Sequence, residues 1–149
     1  MKSTTPLGSG AYADLDVRMY YYTDTPPPPP LQVSVTPGIG GAGLPRGSEV
    51  SFSVLASTNR SGVGVSLYVP QLPPGVTATF SPSTAVPGWN YVARIQVAIN
   101  AALGNYKFRV CASAQDGGTT SIACTNDLGL TIRQNASQIM SSVNQLLLR

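Results

Sequence analysis

The sequence contains no histidine, and only 10% of its 149 residues are charged, against about 25% in an average domain. The commonest general base and the commonest metal ligand are therefore missing. Of the six carboxylates, only Asp14 and Asp16 are close together, a spacing that favours a solvated strand edge over a cation site. Motifs of serine hydrolases, phosphate-binding loops and dinucleotide-binding turns are absent. We expect no enzymatic activity, no metal and no cofactor.

The charged residues also limit the possible partners. Nine basic residues stand against six acidic ones, but they are scattered, whereas nucleic-acid-binding domains cluster them on one face. No run reaches the about 18 apolar residues of a membrane span. The first residues lack the apolar segment of a secretory leader. We expect partners that are neither nucleic acid nor membrane, and a protein made without secretion.

Residues 1–30 predict an extended N-terminal arm. Residues 11–23 alternate with a period of two, which indicates a strand. Pro26 to Pro30 favour a polyproline II helix, a stiff spacer about 15 Å long. A lone strand cannot bury its apolar face, and the spacer keeps this one away from its own domain. We expect the apolar face of the arm to dock on another chain, either a shell protein or a second copy; its residues are Ala13, Leu15, Val17, Met19 and Tyr21.

Residues 31–133 predict one all-β domain. Seven short alternating runs, separated by turn residues, fall within about a hundred residues, and no amphipathic helix interrupts them. This spacing is typical of an antiparallel β-sandwich of the immunoglobulin-like type. The inward-facing positions include Phe52 and Val54 in the second run, Tyr91 to Ile99 at every other residue in the fifth, and Leu128, Leu130 and Ile132 in the last.

Two stretches carry a resemblance to a known group of domains. The segment LPPGVTATFSPS (72–83) and the segment GNYKFRV (104–110) resemble bacterial and viral immunoglobulin-like repeat modules, as found in phage structural proteins and secreted bacterial proteins. The resemblance covers about residues 31–132 and implies the sandwich fold, with Tyr106 as a corner tyrosine bonded to upstream backbone. The buried Trp and the inter-sheet disulfide of antibody domains are missing. Trp89 lies in a turn, where it either caps the sandwich or contacts a partner.

The two cysteines flank a predicted hairpin. Asp116-Gly117-Gly118-Thr119 indicates a two-residue turn, and counting outward from it places Cys111 opposite Cys124 at the closer, non-hydrogen-bonded spacing. The even-numbered core positions on both strands cannot all point inward in that register unless a bulge lies near residues 125–127. We predict a Cys111–Cys124 disulfide, with two free buried thiols as the alternative. A disulfide would imply a non-reducing environment.

Residues 134–149 change to a helical period. Apolar residues spaced four, three and four apart predict a short amphipathic helix: Ala136, Met140, Val143 and Leu147. So short a helix is marginal by itself, so we expect this stripe to dock on the sandwich, on a second copy or on another protein.

These features favour a non-enzymatic structural protein of an assembly. The leading hypothesis is a decoration or cement protein on the capsid of a tailed phage, located in the virion and oligomeric, which binds the shell protein or its own copies through its terminal segments. The alternative is a secreted or cell-surface module for adhesion or carbohydrate binding.

Overall fold

The computed structural model describes residues 26–85 and 90–147, which form eleven strands and one helix. The predicted arm strand and Trp89 lie outside these residues. The strands are β1 (Val33–Pro37), β2 (Gly41–Pro45), β3 (Glu49–Thr58), β4 (Val65–Tyr68), β5 (Val76–Ser81), β6 (Thr84–Ala85), β7 (Asn90–Val97), β8 (Gly104–Phe108), β9 (Cys111–Asp116), β10 (Thr119–Cys124) and β11 (Leu128–Arg133). The helix α1 follows at Ala136–Leu147.

The strands form two layers. The first is a four-stranded antiparallel sheet in the order β1-β3-β7-β5. The second combines the sheets β10-β9-β4-β6 and β2-β11-β8. Along β7 each buried residue alternates with an exposed one, as expected for a strand with one face on the core. This arrangement is the immunoglobulin-like β-sandwich that the spacing of the runs predicted.

A bulge joins the two sheets of the second layer. Phe108 pairs with Leu128 and Cys111 pairs with Cys124, so two residues on one strand lie opposite three on the other. The predicted bulge near residues 125–127 is therefore confirmed. Buried Thr125 bridges the gap: its N–H donates to the carbonyl of Val110 at 2.9 Å, and its Oγ1 accepts from the N–H of Val110 at 3.2 Å.

The turns follow the sequence closely. Gly117 and Gly118 have φ of 54° and 84° and close the β9–β10 hairpin between Asp116 and Thr119. Two successive positive φ angles define the type I′ turn, which suits glycine. The Pro73-Pro74-Gly75 segment carries the chain from β4 in one layer to β5 in the other. Tyr106 Oη donates to the backbone carbonyl of Ala102 at 3.2 Å, which confirms the corner tyrosine.

Strand β2 was not predicted. Its sequence, GAGLP, has the glycine and proline content of a loop. It pairs parallel with β11, so one pair of strands departs from the antiparallel pattern. A Cβ on Gly41 would lie 2.7 Å from the backbone oxygen of Gly129, so the pairing requires glycine there. The strand also adds Leu44 to the core.

One predicted core position is wrong. Ile99 is 56% exposed, because β7 ends at Val97 and the chain then turns, with the N–H of Ala98 bonded to the carbonyl of Gly75 at 2.7 Å. Ala101 is buried in its place. Alternation stops predicting burial at the residue where the strand stops.

Tyr91 links the two layers inside the core. It is fully buried on β7, and its hydroxyl donates to the carbonyl of Val65 on β4 at 2.6 Å and accepts from the N–H of Ala85 on β6 at 3.1 Å. Burial raises the pKa of the Tyr91 hydroxyl, since the charged phenolate is poorly solvated there.

Candidate attachment sites at the two ends of the sandwich

The proline run and the helix leave the sandwich from opposite ends. Pro30 adjoins the end where β3 finishes at Thr58 and the β9–β10 hairpin turns, which we call the proline end. Helix α1 follows β11, which ends beside Pro45 and opposite Gly104, and we call this the helix end. The longest strand, β3, has ten residues, so the two ends are roughly 33 Å apart.

At the proline end, side chains of the β3–β4 loop hold the last prolines. Asn59 Nδ2 donates to the carbonyl of Pro30 at 2.8 Å, and Arg60 Nη2 donates to the carbonyl of Pro29 at 2.9 Å. A polyproline segment has no N–H groups, so its backbone forms hydrogen bonds only through its carbonyls. These two bonds fix the direction in which the exposed prolines leave the domain.

The loop itself is braced on both sides. The N–H of Arg60 donates to Oγ1 of Thr58 at 2.8 Å, a local turn that aims the arginine side chain. Arg60 Nη1 lies 3.4 Å from Oδ2 of Asp116 in the hairpin. Sequence analysis missed Asn59 and Arg60, because only the folded chain brings them beside the prolines.

At the helix end, Asn135 begins α1. Its Oδ1 accepts from the N–H of Ser137 at 3.3 Å, which makes it the N-cap. Its Nδ2 donates to the carbonyl of Arg46 at 3.3 Å. Arg46 is itself held, with its N–H on the carbonyl of Arg133 at 3.0 Å and its Nε on the carbonyl of Ala101 at 2.5 Å. The start of the helix is thus tied to the sandwich.

The apolar stripe of α1 is exposed to solvent. No residue of Ala136–Leu147 is buried, and Leu146 and Leu147 are each 78% exposed. The helix forms where the period predicted it. Its own sandwich, one of the three docking surfaces considered from sequence, does not cover the stripe in this structure.

The disulfide lies on the outer face of the second layer. Cys111 and Cys124 are bonded and opposite each other across β9 and β10. Tyr68 of β4 lies opposite Cys111 on the other side and is 37% exposed, while Ile122 is 58% exposed. This face therefore combines an aromatic ring, an exposed aliphatic side chain and the bridge.

The carboxylates of the described residues are engaged in ion pairs. Glu49 contacts Arg94, Asp116 contacts Arg60, and Asp127 contacts Arg109. A hydrogen bond from Gln96 and the Arg94 guanidinium lower the pKa of Glu49, and a bond from Arg109 lowers that of Asp127. Within residues 26–85 and 90–147 no three His, Cys, Asp or Glu side chains cluster into a metal site.

Comparisons with known proteins find similar solved structures only at low identity and low TM-score. No family model and no curated protein matches it. It is similar to domains 4 and 5 of the S-layer protein SbsC, with 13% identity and a TM-score of 0.42, covering 66% of this chain and half (50%) of that one. It is similar to the BIgI domain of the beta protein from S. agalactiae bound to CEACAM1, with 15% identity and a TM-score of 0.39, covering 69% and 98%.

A third similar structure is a chimeric titin Z1Z2, with 16% identity and a TM-score of 0.37, covering 69% of this chain and 95% of that one. Matches of this size assign neither a family nor a function, because one fold hosts many functions. The fold assigned to this chain rests on its own strand order and register.

The predicted disulfide between Cys111 and Cys124 is confirmed, and the other predicted site residues divide into two groups. The arm positions Ala13, Leu15, Val17, Met19 and Tyr21, with Trp89, lie outside the described residues. The helix positions Ala136, Met140, Val143 and Leu147 share an exposed stripe at the helix end. No helix in the described part of the chain is long and apolar enough to cross a membrane.

Proposed function

We propose that this protein is a non-enzymatic structural component of an assembly, in which the sandwich separates two attachment segments. The observation that carries the proposal is the position of the anchors at opposite ends: Asn59 and Arg60 hold the proline run at one end, and Asn135 ties the helix to the other. A domain that held a ligand in a single site would not need this arrangement.

The arm supplies one attachment. Its alternating sequence has an apolar face of five residues, and burying them would contribute several kcal/mol at about 25 cal/mol per Å². Adding a strand to a sheet edge would also satisfy its backbone groups. The anchored prolines, which adjoin this segment in sequence, support the proposal that it binds a neighbouring chain.

The finer proposal is a decoration or cement protein on the capsid of a tailed phage. It is supported by the resemblance of residues 72–83 and 104–110 to viral and bacterial repeat modules and by the two terminal attachment segments. The shell protein and copies of this chain are the proposed partners, and the virion is the proposed location.

Binding to purified particles tests the proposal. We expect the full chain to bind, and a variant lacking residues 1–25 to stay folded and lose binding. The double variant Leu15→Asp with Val17→Asp should behave like the truncation, because it places unpaired charge in the joint. The control Ser3→Asp with Ser9→Asp adds the same charge to the arm before the alternating segment 11–23 and should bind like wild type. Full occupancy by the truncated protein would contradict the proposal.

A second candidate is an extracellular adhesion or carbohydrate-binding module. The disulfide favours it, because such bonds persist in oxidising compartments. Tyr68 beside the bridge gives an aromatic surface on which a sugar ring could stack. Under this function Tyr68→Ala would abolish glycan or receptor binding and deletion of the arm would not, the reverse of the result expected for the assembly protein.

A further inference from the structure

The helix α1 carries a seven-residue repeat of apolar side chains. Ala136 and Val143 are seven residues apart, as are Ile139 and Leu146, and Met140 and Leu147. Three positions in every seven are therefore apolar, the pattern of a helix in a bundle. All six side chains are exposed. The repeat is typical of helices that pack against other helices.

The absence of charged residues from the helix indicates which partner covers its apolar stripe. Residues 134–148 contain no Asp, Glu, Lys or Arg, although charges beside the apolar seam are what select a different partner in paired helices. A neutral stripe offers no charge for another protein to recognise, and two copies of it do not repel each other. We infer that the stripe is a self-association surface, covered by α1 of a second copy that runs antiparallel.

The size of the side chains favours the antiparallel direction. Small Ala136 is at the start of the stripe, and large Leu146 and Leu147 are at its end. An antiparallel pair puts Ala136 of one copy against Leu147 of the other, and Met140 against Val143. Facing small against large residues fills the space between helices without voids. A parallel pair would put Ala136 against Ala136 and leave a gap.

The ends of the helix favour the same direction. No acidic residue lies in its first turn and no basic residue in its last, so its dipole is not compensated by side chains of Ala136–Leu147. An antiparallel neighbour brings opposite ends together. Only two residues separate the last strand of the sandwich, β11, from the start of α1. Antiparallel packing therefore places the two sandwiches at opposite ends of a contact about 18 Å long. Parallel packing would crowd them on one side.

The width of the stripe sets the number of copies. A pair of helices of this length buries less than the about 1,600 Å² of a standard interface, so a pair alone would associate weakly. Three apolar positions per heptad make the stripe wide enough to contact two neighbouring helices. Antiparallel packing requires an even number, so we expect two or four copies. This inference concerns the helix end only and does not depend on where the arm binds.

Sedimentation equilibrium of the full chain tests the association. Wild type should sediment as two or four copies. Val143→Asp should raise the dissociation constant on the order of 100-fold, because it places a charge in the seam. Gln145→Asp, which adds the same charge on the opposite face of the helix, should change it less than about threefold. Leu146→Ser is a second variant with no added charge and should also dissociate.

Three results would overturn the inference: a monomeric wild type at several hundred micromolar, a three-copy species, or equal behaviour of Val143→Asp and Gln145→Asp. Direction is measured by pulsed electron paramagnetic resonance with one spin label per chain, since both native cysteines are bonded. Labels at Ser142→Cys, beside the stripe and halfway along the helix, should be close across copies. Labels at Ser137→Cys should lie about 12 Å farther apart along the axis. Equal short distances would indicate parallel helices and overturn the antiparallel assignment.

Particle binding by these variants separates this inference from the proposed function. A monomeric Val143→Asp protein that still binds particles would support self-association and leave the role of the arm intact. Full particle occupancy by a protein that lacks residues 1–25 and remains two or four copies would contradict the proposed function alone.

Discussion

Ile95 and Ile139 have the same side chain and opposite surroundings. Ile95 on β7 is 1% exposed and packs in the core, whereas Ile139 on α1 is 47% exposed. Both lie in regular secondary structure that the sequence pattern predicts. The difference shows that Ile95 finds its packing partners within the sandwich, while the apolar stripe of the helix is left uncovered by its own domain.

Shortening these two side chains should give the largest contrast. Ile95→Ala leaves a cavity in the core, and we expect a loss of about 2–5 kcal/mol in the free energy of unfolding. Ile139→Ala removes exposed atoms and should stay within about 0.5 kcal/mol. Chemical denaturation of both variants at low protein concentration checks the pair. Comparable losses would mean that α1 belongs to the core.

Breaking the disulfide should have the next largest effect on the free energy of unfolding. This change should affect the sandwich and leave the helix unaltered. The bridge closes a loop with a sequence separation of 13, for which we expect about 2–3 kcal/mol. The variant with both Cys111→Ala and Cys124→Ala should lose this amount and keep the oligomeric state set by α1. Thiol titration of the denatured, unreduced wild type should find no free thiol; two reactive thiols would show that the bridge is not formed.

Removing the hydroxyl of Tyr91 should lower the free energy of unfolding by less than breaking the disulfide does. Tyr91→Phe leaves the carbonyl of Val65 and the N–H of Ala85 without this partner, and we expect a loss of about 1–3 kcal/mol. The raised pKa of Tyr91 also predicts a pH dependence. Its stabilising effect is fully present below the ordinary tyrosine pKa of 10.0 and declines as pH rises through the higher pKa of the folded state. Thermal melting from pH 9 to 12 should show this decline in wild type and a smaller one in Tyr91→Phe.

The surface ion pairs should give the smallest effect. The lowered pKa values of Glu49 and Asp127 mean that their stabilising effect is present above the ordinary carboxyl pKa and is lost as pH falls through the values of the folded protein. Glu49→Gln should lower the melting temperature only slightly at pH 7 and reduce its acid dependence. Because both groups are on the surface, 0.5 M salt should weaken the effect in wild type. If Glu49→Gln leaves the acid dependence of the melting temperature unchanged, that dependence arises from other groups.

The sequence allowed the sandwich to be predicted in detail where local rules decide the structure. Alternation identified β3 and β7, the two glycines identified the hairpin turn, and the conflict between core parity and cysteine register located the bulge at residues 125–127. Each of these signals comes from a few neighbouring residues, whose backbone preferences the fold does not override.

The features that sequence reasoning missed depend on contacts between distant segments. Strand β2 forms because Gly41 lets the backbone approach Gly129, and its own residues have low strand propensity. Asn59 and Arg60 become anchors only because the fold brings the β3–β4 loop beside Pro29 and Pro30. The helix was predicted from its sequence, but only the side-chain exposures in the structure show that its own sandwich leaves the apolar stripe uncovered.

The parallel pairing of β2 with β11 determines how the molecule would carry tension. A chain held by its proline end and pulled by its helix end would load these two strands in opposite directions along their length, because β2 is drawn toward the prolines and β11 toward α1. The five residue pairs that join them would then be stretched together rather than opened one at a time. We expect single-molecule pulling between the termini to show one large force peak, and we expect Leu44→Asp to lower that peak by weakening β2. The protein would then resist extension until all the pairs between β2 and β11 break together.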